Sequence, residues 1–254
     1  MIIRKSQREI DTMSRAGAVV AGTLALLEQH VQAGVTTAEL DALADEFIRA
    51  EGGIPTFKGY RGYPAATCLS PNDMVVHGIP GATKLKDGDI LSVDVGVTLD
   101  GFVADSAWTY AIGAITPEAQ HLLDVCEAAL EAGIDAARLG NAIGDISRAV
   151  QTVTEEAGFG VIRTLVGHGV GRSMHEDPQV PNFVSSHRGA ELKEGMTIAI
   201  EPMITVGEPE VYVHDDEWSI STEDGSLAAH FEHTVAVTTE GPRILTAGSG
   251  VLVP

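Results

Sequence analysis

Two cysteines in 254 residues, Cys68 and Cys126, cannot build a disulfide framework and leave no cysteine-rich zinc pattern to read. Basic residues are also scarce. Sixteen Lys and Arg face 36 Asp and Glu, a formal charge of −20 that repels phosphate backbones and anionic lipid and excludes nucleic-acid binding through bulk charge. Partners should therefore be neutral, cationic or metallic. The opening Met-Ile-Ile-Arg-Lys-Ser-Gln-Arg-Glu lacks the apolar core of a signal peptide. The charge-free run Ala16–Leu27 falls short of the roughly 20 apolar residues of a membrane span. A soluble chain in a reducing cytoplasm, with no membrane partner, is expected. His-Glu-x-x-His and Gly-x-Ser-x-Gly are absent too, so thermolysin-type and serine-hydrolase chemistry have no support.

What is present is 44 % hydrophobic residues, enough to bury the core of one large domain or two modest ones. Ser6 and Glu9 make a capping box ahead of a helix expected to run towards residue 32. Thr36 and Glu39 repeat the box ahead of Leu40, Leu43, Ala44, Phe47 and Ile48, spaced for one helix face, with Gly52-Gly53 as the stop. Two more helices read at about 117–137, after Thr116-Pro117, and about 142–157, before Gly158. Strand-forming segments fall near 73–77, 90–98, 102–112, 197–205 and 230–238.

The order of helix pair followed by strands occurs twice. Leu85-Lys86-Asp87-Gly88 returns as Leu192-Lys193-Glu194-Gly195, and the same step of 107 carries Asp94 onto Glu201, both acids within apolar strands. The next strand of each half offers another acid, Asp105 and Glu232. In the helices a step of 106 matches Gly34 to Gly140, Leu40 to Ile146 and Gly52 to Gly158. The chain therefore reads as one domain of two similar α/β halves, about 1–115 and 116–254, packed face to face, each giving two carboxylates to one centre.

Asp100-Gly101 suits a two-residue hairpin turn, which sets Gly96 opposite Asp105 and places Asp94 diagonal to it, roughly 7–8 Å away on the same face. Ionised carboxylates among Val, Ile, Phe and Ala are costly to desolvate unless paired or metal-bound, and bases are scarce nearby. Four of them suit one or two hard or borderline divalent ions, and a bridging hydroxide would complete a hydrolytic centre. An imidazole ligand is expected from Gly167-His168-Gly169-Val170-Gly171, with His175 near it. For His30, His121, His187, His214 and His230 an ordinary structural role is expected.

The run from Gly167 to Phe183 (GHGVGRSMHEDPQVPNF), the segments Val93–Gly96 and Ala104–Asp105, Glu201-Pro202-Met203, and Phe231-Glu232-His233-Thr234 together resemble the type I methionine aminopeptidases over nearly the whole chain. The resemblance implies a pita-bread fold, α/β (α+β), in which two pseudo-symmetric halves carry curved antiparallel sheets backed by helices. It implies Asp94, Asp105, His168, Glu201 and Glu232 as ligands of one or two divalent ions (Co, Mn, Fe or Zn), with Asp105 and Glu232 bridging. Glu201 would be the general base, and His77 and His175 catalytic groups hydrogen-bonding around the scissile bond. Tyr60, Tyr63, Cys68 and Trp218 resemble the family's methionine side-chain pocket, with Phe57 and Met174 beside it.

The implied activity is removal of the initiator methionine from nascent polypeptides with a small second residue, by a cytoplasmic monomer in transient contact with the ribosome. At −20, such contact is left to Arg4, Lys5 and Arg8 or to the loop with Lys84 and Lys86. Two other readings share the fold. One is an Xaa-Pro aminopeptidase, which usually carries a large extra N-terminal domain; the other is a peptide-binding module that has lost its metal, against which all five ligand positions here are filled.

Overall fold

Each helix begins where the sequence supplies a cap. In the computed structural model, which describes residues 1–247, α1 (Gln7–Glu28) starts behind Ser6, whose N–H and hydroxyl both lie 2.9 Å from the Glu9 carboxylate. Residues 248–254, the end of the expected second half, lie outside the described residues. Thr36 and Glu39 close the same box ahead of α2 (Thr37–Ala50). The Thr116 hydroxyl accepts from the Ala119 N–H at the start of α3 (Pro117–Ala136), and Gly158, left-handed at φ 86°, follows α4 (Ile143–Glu156). α1 stops at Glu28 rather than near residue 32, because Gln29 caps it and the N–H groups of His30 and Val31 turn back onto the Leu27 carbonyl.

Between the helix pairs run β1 (Ile54–Pro55), β2 (Cys68–Pro71), β3 (Met74–Val76), β4 (Ile90–Leu99) and β5 (Phe102–Ala111). After α4 come β6 (Gly160–Val161), β7 (Gly167–Gly169), β8 (Glu176–Val180), β9 (Thr197–Ile200) and β10 (Met203–Thr205), then β11 (Val211–Val213), β12 (Ile220–Thr222), β13 (Ala228–His230), β14 (His233–Thr238) and β15 (Gly241–Ile244). All pairings among the described residues are antiparallel. β4 lies between β1 and β2 and also pairs β5, while the second sheet runs β15-β14-β9-β7-β8. Two three-stranded sheets complete the set, β13-β10-β6 and β11-β12-β3, and the latter joins a strand before α3 to two strands after α4.

Strand alternation decides which residues reach the helices. Leu91, Val93, Val95 and Val97 of β4 pack with Val20, Leu24, Leu27, Leu40, Ala44 and Ile48 of α1 and α2, which turns Ser92, Asp94 and Gly96 to the opposite face. A matching core joins α3 and α4 to the second sheet through Leu122, Cys126, Leu130, Ile146, Ile198, Ile200 and Val235. α1 is long and apolar enough, by length and composition, to cross a membrane. Half of that window is buried within the protein, as in a core helix packed on β4 and β5.

Candidate active site

The β4–β5 hairpin has the register expected from its turn. Asp100 and Gly101 both have positive φ, 49° and 78°, and the ladder sets Gly96 against Asp105, with Asp94 against Ala107. Asp94 and Asp105 therefore share the face away from the helices. In the second sheet His233 faces Ile200, and in the neighbouring one His230 faces Met203 in the same register. Glu201 and Glu232 thus stand opposite each other in the gap between two ladders.

The two acid pairs meet along a hydrogen-bonded seam. Thr234 accepts from the Asp105 N–H at 2.9 Å and donates to the Asp105 carbonyl at 2.8 Å through one hydroxyl. The Glu232 N–H donates to the Ala107 carbonyl (2.9 Å), and Ser106 donates to the Glu232 carbonyl (2.5 Å). His168, on β7, completes the group. Its Nδ1 lies 2.9 Å from the Gly169 carbonyl, which makes Nδ1 the protonated nitrogen and leaves Nε2 a free acceptor, 3.5 Å from Glu201 and 3.9 Å from Asp105. Ligand atoms of Asp105, His168 and Glu232 all lie within 4.8 Å of one another.

These carboxylates carry no compensating charge from the chain. Burial raises the pKa of Asp94, to about 7, and raises those of Asp105, Glu201 and Glu232, with mutual repulsion adding to the last three. Among the described residues, the only basic side chains within 4 Å of these carboxylates are the imidazoles of His168 and His230. Desolvation lowers these to about 4 and about 3, so both are neutral near pH 7. Asp94 Oδ1, Asp105 Oδ1 and Glu232 Oε1 are buried without any donor. Acceptors left without donors, in a cluster without cations, are the chemistry that a divalent ion satisfies, so the donor set fits a metal.

Against this floor sits an apolar slot. A cavity of about 170 Å³ is lined by Phe57, Tyr60, Arg61, Tyr63, Cys68, His77, Met174, His175 and Trp218 together with Asp94, Asp105, His168, Glu201 and Glu232. All the site residues expected from the sequence converge there. Cys68 reaches the floor because β2 pairs it directly with Asp94. Tyr63 is edge-on to Phe57 and to Trp218 (centroids 6.4 and 5.1 Å), and its hydroxyl lies 2.9 Å from the Gly78 carbonyl. His77 leaves β3 in the left-handed region (φ 60°), a conformation rare outside glycine, and its ring is edge-on to Trp218. His175 stacks on Tyr60, whose hydroxyl is 2.9 Å from His175 Nδ1, and lies 4.2 Å from the His168 ring between centroids. Desolvation and then the nearby Arg61 hold His175 below the ordinary imidazole range, while desolvation holds His77 at about 4.

Two neighbours of the site were given no role in it from the sequence. Arg61, within the pocket stretch from Tyr60 to Cys68, stands at the rim with its guanidinium 5.3 Å from the Tyr60 ring. His230 departs from the expected structural role: it is 2 % exposed, neither ring nitrogen has a hydrogen-bond partner, and Nε2 lies 3.9 Å from Glu201 and 3.8 Å from Glu232. A signal existed in its spacing of two from Glu232, which sets both on one side of an extended chain. Lys5 is a further difference, buried against Glu176 and therefore withdrawn from the basic face read at the N-terminus.

The profile of metallopeptidase family M24 matches residues 11–239. The methionine aminopeptidase of Clostridium perfringens is 49 % identical over 246 residues, covering 97 % of this chain and 99 % of its own. The crystal structure of the methionine aminopeptidase from Thermotoga maritima superposes with a TM-score of 0.95 at 44 % identity, over 97 % of this chain and 99 % of that one. A prolidase from Pyrococcus furiosus, 20 % identical with a TM-score of 0.77, shares the fold alone, and the match covers 66 % of its length.

Proposed function

The chain belongs to metallopeptidase family M24, with its pita-bread fold, and we propose that its acid-floored slot removes the N-terminal methionine from new polypeptides whose second residue is small. The observation that carries this reading is the meeting of five metal-competent side chains, two acids from each half and His168, at the floor of a slot walled by Tyr63, Trp218 and Cys68. Asp94, Asp105, His168, Glu201 and Glu232 would hold one or two divalent ions. Such ions supply Lewis acidity and make water nucleophilic near neutral pH.

The chain's own groups then divide the remaining work. Glu201, whose side chain is 13 % exposed, accepts the proton of the attacking water and passes it towards the leaving amine. Desolvation favours the neutral form of the His175 imidazole, whose Nδ1 lies 2.9 Å from the Tyr60 hydroxyl; in the tautomer in which Nδ1 accepts from that hydroxyl, Nε2 carries the hydrogen that stabilises charge growing on the scissile carbonyl oxygen. His77, also neutral, supports the same oxygen from the other wall. The slot selects an unbranched thioether through S–aromatic contacts worth roughly 0.3–1.5 kcal/mol and through burial of about 1.5–3 kcal/mol. The enzyme acts as a cytoplasmic monomer, and any ribosome contact falls to Arg4 and Arg8 or to the loop with Lys84 and Lys86.

Kinetics on X-Ala-Ser peptides, with X as Met, norleucine, Leu or Ala and with Co, Mn, Fe or Zn supplied singly, test this. Met and norleucine should lead, Leu should suffer from its branch, and Ala should lose one to two decades in kcat/KM, about what an unburied methionine side chain forfeits. A flat series, or a demand for Pro at the second position with indifference at the first, overturns the reading.

A further inference from the structure

Lys5 and Glu176 form an ion pair unlike the others. Nζ lies 2.6 Å from Glu176 Oε2 with the side chains 2 % and 7 % exposed, whereas other Lys and Arg pairs, such as Arg49 with Asp45 or Arg172 with Glu9, stay open to solvent. A buried pair is a poor source of stability, because desolvating two ions offsets most of their attraction. Its place in the fold suggests another use. Glu176 Oε1 accepts the N–H groups of Arg172 (2.8 Å) and Ser173 (3.2 Å), so the turn 171–176 is wrapped around this one carboxylate. The Lys5 side chain lies directly beneath Gly171, where an added Cβ would come within 2.3 Å of Cε. The Lys5 N–H is anchored to the Gly195 carbonyl at 2.6 Å, and the Gly171 carbonyl accepts from the Val103 N–H at 2.7 Å. Met174 and His175, both at the pocket, ride on that turn.

We propose that Lys5 is a positioning residue for the reaction: through Glu176 it fixes the turn 171–176 and so aims His175 at the scissile carbonyl. Tyr60 holds the ring from the pocket side, and the N-terminal arm holds its backbone from behind. The inference rests on the role given to His175 above.

The test is a double-mutant cycle on kcat for Met-Ala-Ser with the metal-loaded enzyme, using Lys5→Met, His175→Ala and both, with metal content measured on each. Lys5→Met should lower kcat by about ten- to a hundredfold at unchanged metal content, the scale of a small misalignment at the reacting centre. In the His175→Ala background the same change should cost less than about twofold, because coupled residues are not additive. A loss that is the same with and without His175, or no loss, overturns the proposal. If Lys5→Met does not fold, Lys5→Met with Glu176→Gln removes both charges while the amide oxygen still accepts from Arg172 and Ser173. The cycle is then read on that pair, with the same outcomes deciding. If His175→Ala alone leaves kcat intact, the catalytic assignment of His175 falls as well. A large His175 effect with an additive Lys5 effect removes this inference only.

Discussion

The two halves bring their acids to the centre by different means. In the N-terminal half Asp94 and Asp105 lie inside one unbroken hairpin of two ten-residue strands, diagonal to each other on a face set by a two-residue turn. In the C-terminal half Glu201 and Glu232 lie in breaks, one between β9 and β10 and the other between β13 and β14, and stand directly opposite. Short side chains on a rigid ladder face longer ones on backbone released from its own ladder. That release is also what joins the halves: the freed N–H and carbonyl of Glu232 pair with Ala107 and Ser106 of β5. Likeness between halves supplies the charge, and unlikeness supplies the seam.

The sharpest way to break this comparison is to remove one shared acid. Asp105→Ala should weaken binding of every ion at the centre, and kcat/KM should fall by more than the roughly 10- to 100-fold that loss of a mere supporting partner costs. Metal analysis with peptide hydrolysis checks it; loss of one ion with the other retained at full affinity would show that the halves bind separately.

Next in size is the seam. Thr234→Val keeps shape but strips the hydroxyl that satisfies both the N–H and the carbonyl of Asp105, buried groups whose loss of partners costs about 1–3 kcal/mol. Thermal unfolding should show a lower Tm, and an unchanged Tm would mean that this hydroxyl adds nothing to the seam.

The acids also set a pH dependence for the metal-free protein. Raised carboxylate pKa values mean that the folded state binds more protons than the unfolded, so these groups lose stabilising effect as pH rises through the window up to the raised values. The buried histidines at 77, 168, 230 and 233, lowered to about 3 to 4, act in the opposite sense but only below their ordinary value of 6.5. Above 6.5 the histidines no longer contribute, and stability of chelator-treated protein should fall between pH 6.5 and a pH just above the raised Asp94 value of about 7, by no more than about 1.36 kcal/mol per unit for each carboxylate. Denaturant titrations at the two pH values, repeated with divalent metal, should show the fall only without metal. A rise without metal would contradict the charge picture.

The smallest expected effect is at the hairpin turn. Gly101 has φ 78° with open space around it, so Gly101→Ala should cost about 1 kcal/mol of stability through backbone strain alone and leave metal affinity intact. A loss of metal binding would show that the N-terminal pair depends on its turn more than on its ladder.

The same contrast explains what could be read in advance. The first acid pair was legible because Asp100-Gly101 fixes a register that alternation then carries to Asp94 and Asp105. The capping boxes at Ser6 and Thr36 marked the helix starts because their hydrogen bonds are local. The opposed register of Glu201 and Glu232 was hidden, since it arises across a long connection that folds into β11, β12 and β13. His230 and Lys5 were misjudged for a related reason: burial among distant partners leaves no trace in neighbouring residues.

One centre shared by both halves would be visible in an anomalous difference map from crystals grown with Mn(II), recorded near the manganese edge. Density is expected between the Asp105 and Glu232 carboxylates, within reach of His168, with any second peak sharing those two acids. Peaks held by the acids of a single half, or lying away from this pocket, would contradict it.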